Sequence, residues 1–403
     1  MLKFFGSRSR KAVLADEIPI PDWFIPRPPL RKPNISLPYF LYQSWIPEHT
    51  DKLISLLQNE GVSFQNLSMF SETVRKSNRV DILRFAEQND ELYRRMCLHS
   101  LAPHRESAIG LVVTLDWIPA MRTLVECASL LGLKTFLVPH ESVFAKSSMY
   151  YTHPKLGINC PATDVIFAWG NLQRDIFVER GYPRADIEIT GTPKFDYLFA
   201  PKRHQQKKLI SGLGLDPNKF LVVAIAQPLD SQFNQTEAQR AQELAFSAVS
   251  DWVSASQDRQ LLIRMPPARG QIFSSAFVNK IKSQTNASID DSSLFLLTPE
   301  QTVLASDVIV SVNSTMLLEA ALNGKAAISA KFLEFEQIWD NVHIAVAKSQ
   351  EKLVELLNTA MADPGQITKN YNFSWAEKAL SNGKFDGRAA MRVAARLKSY
   401  ARI

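Results

Sequence analysis

Hydrophobic positions along the chain follow two alternating patterns. Short, nearly continuous apolar runs mark strands buried on both faces; between them, apolar residues recur every three or four positions, as on one face of a helix. Runs at 37–45, 62–69, 109–115, 134–138, 165–168 and 187–190 predict six strands, the second of them weaker. Helices are expected between them at 47–58, 81–98, 119–131 and 171–180. In the third of these, Pro119 occupies the favoured first turn and Gly132 follows the end. The pattern restarts with strands at 220–226, 260–264, 295–297, 308–311 and 326–329, and helices at 236–254, 302–306, 315–323 and 387–400. Strands alternating with helices predict parallel sheets covered on both faces.

The restart divides the chain. A polar, lysine-rich stretch at 200–210 is the expected linker, and 403 residues exceed what one hydrophobic core organises. The expected units are a first, acceptor-side domain at 1–200, a second, donor-side domain at 201–380, and a helical segment at 381–403 that packs back on the first. Two Rossmann-like α/β units with a cleft between them describe the architecture called GT-B. Seven prolines between 18 and 38 predict an extended lead-in.

Composition narrows the class. Hydrophobic residues make up 46% and charged residues 21%, which excludes disordered and fibrous proteins. The net charge is +6, yet basic residues cluster only at the start, around 202–208 and in the last helix. That spread favours an enzyme of nucleotide sugars or acidic glycans near an anionic membrane surface over a nucleic-acid binder. Cys97, Cys127 and Cys160 lie far apart with no CxxC pair, so a reducing cytoplasm is expected. No run approaches the ~18 apolar residues of a membrane span, and the N-terminus lacks a signal-peptide core. The expected location is cytoplasmic, with peripheral contact at the inner face of the membrane.

Open parallel sheets bind ligands at the carboxyl ends of their strands, and several such ends here carry reactive residues. Ser311, Asn313, Ser314 and Thr315 precede a helix that contains Glu319. Serine and threonine there either cap free backbone N–H groups or, with the helix dipole, hold a phosphate, leaving Glu319 to face a ribose or base. Gly191-Thr192-Pro193 forms a tight turn that leaves Lys194 either beside a phosphate or as a solvated hinge lysine. His140 and Glu141 follow another strand; one of them can serve as general base, since neighbours in extended chain point apart. Asp116, after the preceding strand, is expected at the same mouth. Asp230 follows Gln227-Pro228-Leu229 and either attacks a sugar's anomeric carbon or caps the next helix. Arg264 and Arg269 either offer a guanidinium fork to a negatively charged donor or form salt bridges, the latter more readily at Arg269. Clustered metal ligands are missing from the sequence, so neither metal nor cofactor is expected.

With Pro139-His140-Glu141, the element 191–196 and Ser311–Thr315 with Glu319 assembled, the chain resembles a bacterial surface-polysaccharide superfamily over roughly residues 110–330. That group includes teichoic-acid glycerophosphotransferases and β-Kdo transferases of capsule and O-antigen assembly. Gln227-Pro228-Leu229-Asp230 and the segment 386–394 look most like the retaining β-Kdo transferases. The resemblance implies CMP-Kdo as donor, a glycan acceptor (lipid-linked) and double displacement through a covalent adduct on Asp230. Arg264-Met265-Pro266-Pro267 departs from the basic-Pro-His-Pro loop of many relatives, which puts a histidine contact in doubt and leaves Arg269 as its replacement. The alternatives are a CDP-glycerol glycerophosphotransferase, a sialyl or other CMP-sugar transferase, and a noncatalytic glycan-binding module of a larger assembly protein.

Overall fold

The structure, a computed structural model, describes residues 21–22, 24, 38–70, 79–140, 156–199, 206–228, 235–266, 272–291 and 296–401. Among the described residues, twelve strands form two six-stranded sheets, and every pairing within them is parallel. The first holds β1 (Tyr39–Tyr42), β2 (Phe64–Asn66), β3 (Ala108–Val113), β4 (Lys134–Leu137), β5 (Val165–Ala168) and β6 (Ile187–Ile189), in the order β2-β1-β3-β4-β5-β6. The second holds β7 (Phe220–Ile225), β8 (Arg259–Arg264), β9 (Ala287–Asp290), β10 (Val308–Ser311), β11 (Ala326–Ala330) and β12 (Ala345–Ala347), in the order β12-β11-β10-β7-β8-β9. Strand order reverses between β1 and β3 in one sheet and between β7 and β10 in the other. A crevice opens at each reversal, because successive crossovers leave it on opposite faces.

The helices are α1 (Pro47–Asn59), α2 (Arg79–Gln88), α3 (Asp90–Leu101), α4 (Pro119–Leu130), α5 (Asn171–Glu179), α6 (Gln206–Gly212) and α7 (Gln235–Ser254). After these come α8 (Ser275–Lys282), α9 (Pro299–Ala305), α10 (Thr315–Leu322), α11 (Gln350–Ala362), α12 (Gly365–Thr368), α13 (Ser374–Leu380) and α14 (Ala389–Ala401). The long helix expected at 81–98 is two helices, because Asn89 leaves the helical region at φ −132° and ψ 45°. No strand forms at 296–297; those residues bend into α9, and the sheet edge is β9, whose sequence Ala-Ser-Ile-Asp shows no apolar run. Gln206–Gly212 is helical rather than linker. Most of the proline-rich lead-in lies outside the described residues, although Phe24 is buried and bridges Phe70.

Each sheet is buried on both faces. Phe40, Val112, Phe136 and Phe167 of the first pack under Val393, Ala394 and Leu397 of α14 and Leu53 and Leu57 of α1. The C-terminal helix therefore closes the first domain's sheet although the chain has already passed through the second domain. Two hydrogen bonds seat it: Asp196 accepts from the N–H groups of Ala389 (3.0 Å) and Ala390 (2.7 Å) and caps α14 from a remote loop. Arg392 donates to the Thr190 carbonyl at 2.7 Å and pairs with Asp386 at 2.8 Å. Gly191, at φ +79°, fits beneath; a Cβ there would stand 3.2 Å from Arg392. The segments 190–196 and 386–394 are thus two sides of one junction.

α13 returns to the first domain beside α5. It comes so near that a Cβ on Gly170 would lie 2.3 Å from the Ala379 carbonyl oxygen. Asp196→Ala should cost about 1–2 kcal/mol by removing the remote cap, with Asp196→Asn losing less, as read from urea unfolding midpoints.

Candidate active site in the interdomain cleft

The carboxyl ends of both sheets open on one cleft. Two adjoining cavities occupy it, and among the described residues both are lined by His49, Lys194 and Pro299. The second-domain cavity, about 180 Å³, adds Gln227, Pro228, Arg264, Ser314 and Thr315. The first-domain cavity adds Lys52, Pro139, His140 and Glu300.

On the second-domain side, backbone geometry comes first. Ser311 is fully buried; its hydroxyl donates to the Ile225 carbonyl at 2.8 Å and to Gln227 Oε1 at 3.1 Å. It braces β10 against β7. Gln227 Oε1 also accepts from the Asn313 N–H at 2.8 Å, so Asn313 is held by its backbone. Ser314 caps α10 by accepting from the Met316 N–H at 3.2 Å. Capping and facing the cleft are compatible here, since Ser314 and Thr315 both line it. Arg264 Nη1 donates to Asp290 (2.8 Å), the Leu297 carbonyl (2.7 Å) and Thr302 (3.0 Å). Its place is the cleft wall, with that nitrogen engaged inside the second domain.

Lys194 crosses between the domains. It follows β6 in a 3-10 turn, Pro193–Phe199, and its Nζ meets Glu319 Oε1 at 2.9 Å and Thr315 Oγ1 at 2.7 Å. Tyr197, one turn on, donates to Glu319 Oε2 at 3.0 Å. Glu319 is fully buried with both oxygens engaged, so the expected ribose contact is closed off in this arrangement. Burial and the adjacent Glu319 charge push the Tyr197 phenol well up. A second bridge joins Lys52 to Glu300, with Lys52 5.4 Å from the Tyr197 ring centre. Burial alone would raise the Glu300 carboxyl, but Lys52 outweighs it and holds the group below its ordinary value.

The first-domain side is organised around Thr114. Its carbonyl accepts from the His140 N–H (3.2 Å) and faces His140 Nδ1 at 3.0 Å; its hydroxyl meets Thr50 Oγ1 at 3.0 Å. Thr50 fixes the first turn of α1, and the preceding His49 stacks on His140 with ring centres 5.1 Å apart and planes at 29°. Desolvation lowers His49 well below the ordinary histidine value, assisted by His140, Lys194, Arg79 and Arg264. Trp169 steadies the neighbouring loop by donating to the Pro139 carbonyl at 2.7 Å.

Asp116 does not reach the mouth. It is fully buried and accepts from the N–H groups of Ala162 (2.5 Å) and Thr163 (3.2 Å), anchoring that loop. Burial pushes its carboxyl up to about 6 despite Arg122 and those two donors. Glu141, Asp230 and Arg269 lie outside the described residues. Among the described residues, no cluster of three potential metal ligands forms and no helix is long and apolar enough to cross a membrane. Sequence reasoning missed His49, Tyr197, Lys52 and Glu300. His49 alone carried a usable signal: it opens the helix after the first strand, at the edge where ligands bind.

No protein-family model and no curated protein matches the chain. Solved structures do. S. aureus MnaA with UDP superimposes with a TM-score of 0.62 at 12% identity, covering 90% of this chain and 97% of that one. The UDP-GlcNAc 2-epimerase of Neisseria meningitidis bound to UDP-GlcNAc gives 0.59 at 11% identity, with 90% and 99% covered. A variant of the wall teichoic acid polymerase TagF gives 0.58 at 10% identity, with 92% and 90% covered. The fold is GT-B: two Rossmann-like α/β domains facing across a cleft.

Breaking the Lys194 bridge strands a buried charge. Lys194→Met should cost about 3 kcal/mol, and Glu319→Gln in the same chain should recover most of it. A four-variant urea-unfolding cycle reads the coupling.

Proposed function

We propose that the protein is a glycosyltransferase that draws a sugar from a nucleotide donor bound in the second-domain cavity. One observation carries this: Lys194 and the N-terminus of α10 converge on that cavity with Thr315 between them. A phosphate there meets a lysine ammonium, a threonine hydroxyl and a helix dipole, groups that stabilise charge developing on a departing nucleotide. Donor binding displaces Lys194 and Thr315 from each other, so the bridge to Glu319 loosens as the phosphate arrives. The positive charge comes from the protein, and this reading calls for no metal. Solved structures of the same fold that hold UDP, UDP-GlcNAc or, in Anabaena HepE, UDP-glucose support a nucleotide-sugar ligand.

The finer reading is transfer of Kdo from CMP-Kdo, with retention, to a lipid-linked glycan at the inner face of a bacterial membrane. Asp230 attacks the anomeric carbon as CMP leaves, Arg269 offers charge to the donor, and Glu141 or His140 deprotonates the acceptor. Pro228, two residues before Asp230, lines the donor cavity, which supports a nucleophile from this loop. A second reading is glycerophosphate transfer from CDP-glycerol with His140 as base, favoured by the His49–His140 pair and by the fold shared with TagF.

Purified protein incubated with CMP-Kdo and no acceptor should release CMP and gain the mass of one Kdo, and Asp230→Ala should abolish the gain. Folded protein that releases no CMP and forms no adduct overturns the Kdo reading; CMP-forming turnover of CDP-glycerol, lost in His140→Ala, would establish the second.

A further inference from the structure

We infer that His49, in place of Glu141 or His140, is the group that takes the proton from the acceptor hydroxyl. The inference rests on the transferase reading above and on where the two cavities meet. In a transfer reaction the acceptor oxygen must reach the sugar's anomeric carbon at the junction of donor and acceptor subsites. Both cavities share His49, Lys194 and Pro299, whereas His140 lines only the first-domain one. Lys194 holds Glu319 and Thr315, and proline has no ionisable group. Of the three, His49 is the residue with a lone pair to offer.

The ring is also fixed. Pro47 starts α1 with its φ already set, and the His49 N–H donates to the Ile46 carbonyl at 2.9 Å. Thr50 ties the same turn to Thr114, and Thr114 in turn orients His140, on which His49 lies. His140 with its Nδ1 on a carbonyl is a positioning residue: it supplies the flat surface that sets the angle of the His49 ring. A base on a helix end, backed by a pinned partner, meets the demand for a prepositioned proton acceptor.

Charge completes the case. His140, Lys194, Arg79 and Arg264 surround His49 from four other segments, Lys52 sits one turn away on its own helix, and Glu300 stands across the first-domain cavity. Burial first, and this largely cationic setting second, keep the ring neutral and able to accept. A donor phosphate beside Lys194 cancels part of the repulsion, so His49 becomes a stronger base when the donor is present. In the second half of the reaction the acceptor oxygen bonds to the anomeric carbon. The bond from that carbon to the Asp230 carboxylate breaks with its electron pair, and the hydroxyl proton moves to His49, later leaving to solvent.

Water serves as the test acceptor. After CMP-Kdo loading, the adduct on His49→Gln should be lost to water about 100-fold more slowly than on the wild-type protein, or worse. Azide, a nucleophile that needs no deprotonation, should restore the loss. Unchanged decay in His49→Gln overturns the inference, as does azide rescue of His140→Gln but not of His49→Gln. Absence of any adduct in the wild-type protein marks failure of the Kdo reading instead. The remaining test is then the NMR titration of the His49 ring in the free protein. A neutral ring at pH 6.5 is expected; a protonated one overturns the proposal whatever the donor.

Discussion

A carboxylate with no access to water holds the two domains in register. Glu319 sits under the start of α10 in the second domain, and its charge is balanced from across the cleft by Lys194, with Tyr197 on the other oxygen. A buried ion without such partners costs several kcal/mol, so the second domain is complete only when the loop after β6 delivers both groups. The same loop delivers Asp196 to the N-terminus of α14. One short turn therefore satisfies a buried charge ahead of it and a helix end behind it. The geometry of the cleft follows from that double duty.

A second node, Thr114, performs the matching task within the first domain. Its backbone carbonyl orients His140 and its hydroxyl fixes the turn that carries His49. Two imidazoles from segments far apart in sequence are thereby stacked at the cleft by a residue that needs no chemistry of its own. Burial and the cations around His49 favour a neutral ring there.

The GT-B fold frames these nodes without assigning them. Nucleotide-sugar epimerases and a teichoic acid polymerase share it with this chain at 10–12% identity, and a fold common to such different activities leaves chemistry to the loops. In this protein the loops after β1, β3, β4, β6, β7 and β10 differ in what they present: histidines and a lysine from one side, hydroxyls and a helix end from the other.

Periodicity alone revealed most strands and helices, because a parallel strand buried on both faces must be apolar throughout and an amphipathic helix must repeat every three to four residues. It also pointed to the strand ends, where Lys194, His140, Ser314 and Thr315 line the two cavities. The edge strand β9 escaped, since a strand of mixed polarity leaves no run to read. Ser311 and Asp116 are both buried in hydrogen bonds to neighbouring segments, an arrangement that depends on which way a short side chain turns. Partnerships lay further out of reach. Lys194 meets Thr315 across 121 residues, and Asp196 caps a helix 194 residues away. Sequence fixes what each loop carries, while the docking of one domain on the other decides which loops face each other. Charge balance at Glu319 and the stacking of His49 on His140 are properties of such facing segments, so tertiary structure alone decided them.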